Sequence, residues 1–413
     1  MRVLLWSQYF WPENFRINQL AAALQQHGMQ VTVLTGKPNY PEGQVFSGYT
    51  ACGVQRERYA GAEVVRMPLV PRGNGSPLRL ALNYLSFIFS GIVVAPLALR
   101  GRKCDVVFVY APSPLLQALP AVWMAWLKRV PLLVWVQDLW PESLTATGVV
   151  ENRWALKGIE ALVRYVYRQA TSILIPSEAF RESVVRLAGD PQKVRYYPNT
   201  AEAASDGTGH VSYSGLVSEL KIGFSVVFAG NIGAAQSMET ILQAAERVRS
   251  QPDIRFFVVG GGSRELWLAQ EVRRRSLGNV VLTGRLPDTD MPVVFAAASA
   301  LLVTLADAPV LALTIPSKVQ AYLAAGRPVI ASLNGEGARV VREAGAGLTC
   351  PAGDAEALAA AVLRLRGMTP EERLRLGENG RRYFDAHFES ARRVRELIEH
   401  FQDIAKQSRE SSQ

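Results

Sequence analysis

Apolar runs of four to eight residues alternate with amphipathic stretches along almost the whole chain. In the first half these runs predict strands at 3–7, 31–35, 106–110, 132–137, 172–176 and 194–197. The amphipathic stretches predict helices at 16–26, 78–99, 115–127, 155–169 and 178–187. Residues 201–223 are polar and rich in Ala, Ser and Gly, the composition of a linker. The alternation then restarts, with strands predicted at 224–229, 255–259, 280–283, 300–304 and 328–332. Helices are predicted at 238–250, 264–274, 318–325, 354–365 and 371–386.

Short strands separated by helices make βαβ units and parallel sheets. Two such series predict an α/β protein of two doubly wound, Rossmann-like domains facing a cleft. The first domain spans 1–200 and the second 224–386, joined by the linker 201–223. The last segment, 387–413, contains an amphipathic stretch at 390–405 with no strand after it. It either crosses back onto the first domain, the preferred reading, or frays.

A length of 413 residues suits two domains, and 49% hydrophobic with 20% charged residues is a globular composition. Cys52, Cys104 and Cys350 are odd in number and far apart, which predicts reduced, mostly buried thiols in a cytoplasmic protein. The opening 1–7 is too short for a signal peptide and reads as a buried strand.

Charge changes this picture. Residues 1–200 hold 21 Lys/Arg against 12 Asp/Glu, whereas 201–413 hold 24 of each, so the whole excess of +9 lies in the first half. Such a bias predicts an anionic partner or serves solubility alone. No nucleic-acid-binding pattern occurs, so nucleic acid is not expected. Residues 80–99 are apolar except for Asn83, Ser86, Ser90, Gly91 and Pro96, with Arg72 and Arg79 before and Arg100, Arg102 and Lys103 after. A true transmembrane span would separate strand 106–110 from its sheet. The segment 78–103 is therefore expected to lie at an anionic membrane surface, or to be an ordinary core helix.

The richest chemistry lies at 315–332. Pro316 and Ser317 read as a turn and cap pair opening a helix, with Lys318 on its first turn among free N–H groups. Gly326 and Pro328 end that helix before a buried strand. This makes an anion site suited to a nucleotide diphosphate. Three further loops reach the same sheet edge: Gly230-Asn231-Ile232-Gly233, Gly260-Gly-Gly262 and Gly284-Arg285-Leu286-Pro287. On the first domain, Asp138 and Glu142 follow strand 132–137, and Gln8, Glu13, Asn14 and Arg16 follow the first strand. Asp288-Thr-Asp290 sits between prolines and reads as a helix start rather than a metal site; the histidines are scattered, and no metal and no cofactor are expected.

The segments Gln8-Tyr-Phe-Trp-Pro-Glu-Asn-Phe-Arg16, Val136-Gln-Asp-Leu-Trp-Pro-Glu142, Tyr197-Pro-Asn199, Ala229-Gly-Asn-Ile-Gly233, Thr283-Gly-Arg-Leu-Pro287 and 315–332 occur in one order along the chain. In that order the chain resembles the family 4 glycosyltransferases of GT-B architecture, in particular bacterial enzymes of colanic-acid, capsule and O-antigen assembly. The resemblance implies that the second domain binds a nucleotide-sugar such as a UDP-sugar. Gly230, Asn231 and Gly233 would face the diphosphate, Arg285 and Leu286 would lie near the base, Lys318 would neutralise phosphate, and Ile232, Gly262, Pro316 and Ser317 would complete the donor-binding set. Asp138 and Glu142 would act with Lys318 in transfer, and Gln8, Glu13, Asn14 and Arg16 would border the acceptor.

The chain departs from this family at one place. Two glutamates with seven residues between them are usual in the donor segment, the later one on the ribose. Leu313 and Ala321 stand there instead, with Glu336 as a candidate substitute.

The resulting expectation is a cytoplasmic enzyme at the inner membrane. It would move a sugar, for which an N-acetylated deoxyhexose such as N-acetylfucosamine is one candidate, to a lipid-linked saccharide, without metal and with retention. The rival readings are an epimerase or hydrolase on the same fold, and a non-catalytic partner in polysaccharide assembly.

Overall fold

The structure is a computed structural model that describes residues 1–146, 152–201 and 214–410. The chain divides into two compact units, Met1–Tyr197 with Arg393–Gln413, and Pro198–Arg392.

The first unit is built on strands β1 (Arg2–Trp6), β2 (Gln30–Gly36), β3 (Gln55–Tyr59), β4 (Ala62–Met67), β5 (Val106–Ala111), β6 (Leu132–Val136), β7 (Ser172–Ile175) and β8 (Val194–Tyr196). They form one sheet in the order β3-β4-β2-β1-β5-β6-β7-β8, parallel throughout except for the antiparallel pair β3 and β4. Val3 of β1 stands opposite Val31 on one side and Val106 on the other, which sets the central register. Its helices are α1 (Arg16–Gln26), α2 (Pro77–Ala98), α3 (Leu119–Lys128), α4 (Glu142–Ala146), α5 (Arg153–Gln169) and α6 (Arg181–Ala188).

Strands β3 and β4 are absent from the apolar pattern for a physical reason. β3 reads Gln-Arg-Glu-Arg-Tyr, the charged surface of an edge strand that resists pairing with another chain. β4 carries Arg66, which is fully buried and paired with Glu57 across the hairpin, so a charge interrupts its apolar run. Cys52 also departs from expectation: it is exposed, Cys104 is half-buried, and only Cys350 is buried.

The second unit contains α7 (Ser214–Leu220), β9 (Phe224–Ala229), α8 (Met238–Arg247), β10 (Ile254–Val259), α9 (Glu265–Arg274), β11 (Val280–Gly284), α10 (Met291–Ala297) and β12 (Ala300–Thr304). It continues with α11 (Pro309–Ala312), α12 (Ser317–Ala324), β13 (Val329–Ser332), α13 (Glu336–Glu343), β14 (Gly347–Cys350), α14 (Ala355–Gly367) and α15 (Pro370–His387). The sheet order is β11-β10-β9-β12-β13-β14, all parallel.

The expected linker 201–223 needs correction at its end. Residues 202–213 lie outside the described residues, but α7 follows them and places Leu220 fully inside the core with Val294 and Tyr322. β14 escaped notice because it is four residues long and opens on Gly347, where a Cβ would fall 1.8 Å from the Val329 carbonyl oxygen.

A final helix, α16 (Ser390–Glu410), packs on the first unit. Val394, Leu397, Phe401 and Ile404 join a core that includes Val3, Leu5, Phe108 and Trp135, and Phe401 meets Phe108 edge-on at 5.3 Å between centroids.

Candidate functional site

In the second unit the strand order reverses at β9, which has β10 on one side and β12 on the other. Ligands of doubly wound sheets sit at the carboxyl ends of the strands at such a switch. Here the loops after β9 and β10 are zipped together by Gly230 N donating to Val259 O (2.8 Å), Ile232 N to Gly261 O (2.9 Å) and Arg264 N to Ile232 O (3.0 Å). The approach demands glycine at two points. At Gly260 φ is +140°, and a Cβ would lie 1.9 Å from Gly230 O. At Gly262 φ is +158°, and a Cβ would lie 2.5 Å from Ile232 O.

Lys318 stands on the first turn of α12. Its ammonium nitrogen sits 3.6 Å from the centre of the Phe228 ring, and the chain lies against Gly230, where a Cβ would be 2.6 Å from Lys318 Cε. Nζ is buried and has no hydrogen-bond partner. Burial lowers its pKa from the usual lysine value to about 7. Pro316 occupies the cap position and no side chain caps the helix, so Ser317 is the first helical residue rather than the cap expected of it. The leading N–H groups of α12 and an unpartnered amine thus stand together, an arrangement that favours an anion.

The remaining donor candidates divide by what their side chains do. Asn231 is exposed, with its amide beside Gly233 and Gly262. Arg285 is exposed and its guanidinium lies next to Gly261. Ser317 is exposed and Pro316 half-buried. Ile232 is a core residue and offers only backbone to a ligand, while Leu286 packs against the core. Glu336 is not the free carboxylate that a ribose substitute requires: it is buried at the start of α13, with Oε1 and Oε2 accepting from Arg339 at 2.8 and 2.9 Å. Gln320 is buried too and donates to Asn199 O at 2.6 Å, tying the Tyr-Pro-Asn segment to α12.

The loop after β12 belongs to the same edge and went unnoticed in the sequence. Thr304 Oγ1 donates to Gln236 O (2.5 Å), Ala306 N to Ala235 O (2.8 Å), and Asn334 Nδ2 to the exposed Asp307 (3.0 Å). The signal was available, since 304–309 follows a predicted strand at that edge.

In the first unit the order reverses at β1, flanked by β2 and β5. Asp138 follows β6; its Oδ2 accepts from Ser143 Oγ (3.1 Å) and Trp140 Nε1 (3.3 Å), and burial raises its pKa against these bonds. Glu142 is turned elsewhere. Its Oε1 accepts from Ser183 and from Arg186 Nη2 (3.1 Å), which braces α4 against α6, while its Oε2 is buried without a hydrogen-bond partner.

Gln8 and Glu13 are both buried and bonded within the first unit. Gln8 is buried and donates to Asn83 Oδ1 of α2 (2.8 Å). Glu13 Oε1 accepts from the backbone N–H groups of Asn39 and Tyr40, each at 2.8 Å, and binds the β1 and β2 loops together. Burial raises its pKa to about 7 despite these bonds. Asn14 is exposed, and Arg16 is half-buried near Tyr110 at the end of β5, its pKa lowered by burial. A cluster that sequence reasoning missed stands beside them. Tyr9 stacks on Phe15 (5.1 Å), and Arg72 donates to Tyr9 OH (2.8 Å) and lies over the exposed Tyr40 ring (5.0 Å). Arg72 comes from the loop after β4, a strand the pattern hid.

Asp288–Asp290 is a 3₁₀ turn leading into α10. Among the described residues no three His, Cys, Asp or Glu side chains form a metal-binding group.

Lys318 makes a pH-dependent prediction. With a folded pKa below the unfolded value, the free protein holds fewer protons than the unfolded chain at this residue. Its stability should therefore rise as pH rises from about 7 towards about 10.5. An anion placed against Nζ pulls the pKa back up. Calorimetry at pH 8 in buffers of different ionisation enthalpy should then show net proton uptake on diphosphate binding, and Lys318→Met should abolish that uptake.

Residues 14–200 match the family model described as "Glycosyl transferase 4-like domain", and residues 223–367 match "Glycosyl transferases group 1". The chain is 25% identical over 292 residues to "Putative colanic acid biosynthesis glycosyl transferase WcaI" of Escherichia coli K12, covering 68% of this chain and 70% of that protein. It is 28% identical over 306 residues to "Probable glycosyltransferase WbjE" of Pseudomonas aeruginosa, covering 70% and 72%. In fold it is similar to HepE of Anabaena in complex with UDP (TM-score 0.71, 14% identity, 98% and 100% covered). It is also similar to sucrose-phosphate synthase of Thermosynechococcus elongatus (TM-score 0.70, 18% identity, 97% and 98% covered). The two Rossmann-like units have GT-B architecture, and the two matching models make the chain a glycosyltransferase. Within that class the chain belongs to the family 4 glycosyltransferases.

Proposed function

We propose that this glycosyltransferase moves a sugar from a nucleoside diphosphate donor, held by the second unit, to a lipid-linked saccharide, held by the first, in surface polysaccharide assembly. The observation that carries the donor half is the buried, unpartnered amine of Lys318 at the start of α12. The bond from the anomeric carbon to the diphosphate breaks with its electron pair leaving on phosphate. Lys318 and the helix N–H groups stabilise the charge that grows there. A bond from the acceptor hydroxyl to the anomeric carbon forms, with retention, and the departing phosphate takes the hydroxyl proton. Asp138 orients that hydroxyl. The UDP held by HepE supports a uridine donor, and the name of WcaI supports an exopolysaccharide product.

The ribose contact differs from the family pattern, because Leu313 and Ala321 carry no carboxylate and Glu336 is paired with Arg339. The donor is therefore best found by screening UDP-, GDP- and dTDP-sugars, N-acetylated deoxyhexoses included, by calorimetry. Product analysis with a lipid-linked acceptor and NMR of the new linkage would follow. Absence of binding to every donor overturns the proposal. Asp138→Asn is expected to lower kcat by about 10²-fold or more while leaving donor affinity unchanged.

A further inference from the structure

Helix α2 is built inside out. Its buried positions are Asn83, Phe87, Ser90, Gly91 and Ala95. Asn83 Nδ2 donates to Val70 O (2.6 Å), and Ser90 Oγ donates to Pro68 O (2.7 Å). Its exposed stripe is Leu82, Leu85, Phe89, Ile92, Val93 and Leu97, following the helical repeat. A water-facing helix has the opposite arrangement.

The apolar stripe does not end with α2. Gly91 brings α3 close, since a Cβ there would meet Pro120 at 2.6 Å. α3 then presents Trp123 and Trp126 outward, stacked at 4.9 Å. A groove of about 910 Å³ lined by these two rings, Arg129 and Tyr165 carries the face on to α5.

Basic residues near the ends of α2 and α3 form the rim of this face, Arg102 among them paired with Glu63 of β4. From residue 68 to residue 137 the chain holds seven Lys/Arg and one acid, Asp105, which is already paired with Arg2 and Arg409. Arg100, Lys103 and Arg129 are exposed beyond the ends of α2 and α3.

We propose that the outer face of α2 and α3 docks on an anionic lipid bilayer, with α2 lying in the interface and Trp123 and Trp126 as anchors. This deepens the lipid-linked acceptor reading of the proposed function and rests on it only for its purpose. Among the described residues α2 is the one helix long and apolar enough to cross a membrane. Yet β4 before it and β5 after it belong to one sheet, so both its ends stay on one side. Apolar surface flanked by Arg and Lys and edged with Trp is the chemistry of interfacial binding. A second copy of this chain suits the face less well, because a two-fold contact sets one basic rim against another. An anionic surface neutralises both ends.

The test is flotation of the full chain, without donor or acceptor, on phosphatidylcholine vesicles with and without phosphatidylglycerol. Binding should appear with phosphatidylglycerol and weaken with salt. The double variant Phe89→Asp/Trp126→Asp should lose binding by about tenfold or more with an unchanged melting temperature, since the two residues are 66% and 67% exposed. Arg100→Glu/Lys103→Glu should remove the preference for phosphatidylglycerol. The proposal is overturned if the wild type fails to float, if it floats equally on both vesicles, or if the double variant still binds. A dimer in sedimentation that Phe89→Asp dissociates, with no flotation, would assign the face to self-association. Because no sugar is present, failure here leaves the transfer reaction standing, and failure of the donor screen leaves docking standing.

Discussion

Lys318→Ala is expected to reduce kcat/KM for sugar transfer by about 10²- to 10³-fold, the usual effect of removing one preorganised donor to a developing oxyanion. A lysine whose amine is buried over Phe228 without a hydrogen-bond partner is an unfavourable feature of the free protein. Its burden is relieved when an anion arrives, most fully when the diphosphate carries its extra negative charge on leaving. Lys318→Met, which keeps the length and removes the amine, should therefore raise or preserve the melting temperature while suppressing transfer. Steady-state kinetics and thermal melts of the two variants check this. Wild-type kcat/KM in either variant would remove Lys318 from the mechanism.

Gly260→Ala is expected to cost about 3 kcal/mol or more in stability and to abolish donor binding. The residue combines a backbone conformation closed to alanine with a Cβ position 1.9 Å from the Gly230 carbonyl oxygen. Relief requires the β9 and β10 loops to separate, and these are the hydrogen-bonded loops proposed to face the diphosphate. Gly278→Ala is the control, because nothing lies within 4 Å of a Cβ there. Chemical denaturation of both variants, with calorimetric titration of the donor, separates the local clash from a general intolerance of alanine. Equal stability of the two would show that the loops yield easily.

The sequence pattern and the structure agree where burial is two-sided. The apolar runs of β1, β5, β6, β9 and β12 are buried along most or all of their length, so periodicity alone reveals them. Agreement fails where a strand lies at an edge, carries a charge or is very short, as β3, β4 and β14 show. Glycine and lysine positions of the donor edge were legible because their chemistry is tied to backbone conformation and to a helix start. The partners of the carboxylates were not. Glu13, Glu142 and Glu336 stand in suggestive places, but their partners Asn39, Arg186 and Arg339 decide what each does. Spacing along a chain does not disclose which of several nearby donors a carboxylate meets. The Tyr9–Arg72 pairing shows the converse, a contact across 63 positions that depends on an unpredicted strand.

The way α16 completes the first unit has a consequence for synthesis. The second unit is an insertion, 198–392, within a domain whose last piece is 393–413. While the ribosome is still making the insertion, the core around Phe108 and Trp135 stands without Phe401, Leu397 and Val394. The first domain to begin is the last to be finished, and its open core must be kept from aggregation until the final helix emerges. Premature termination anywhere before α16 therefore damages the beginning of the protein rather than its end, whereas the inserted unit already has its own core.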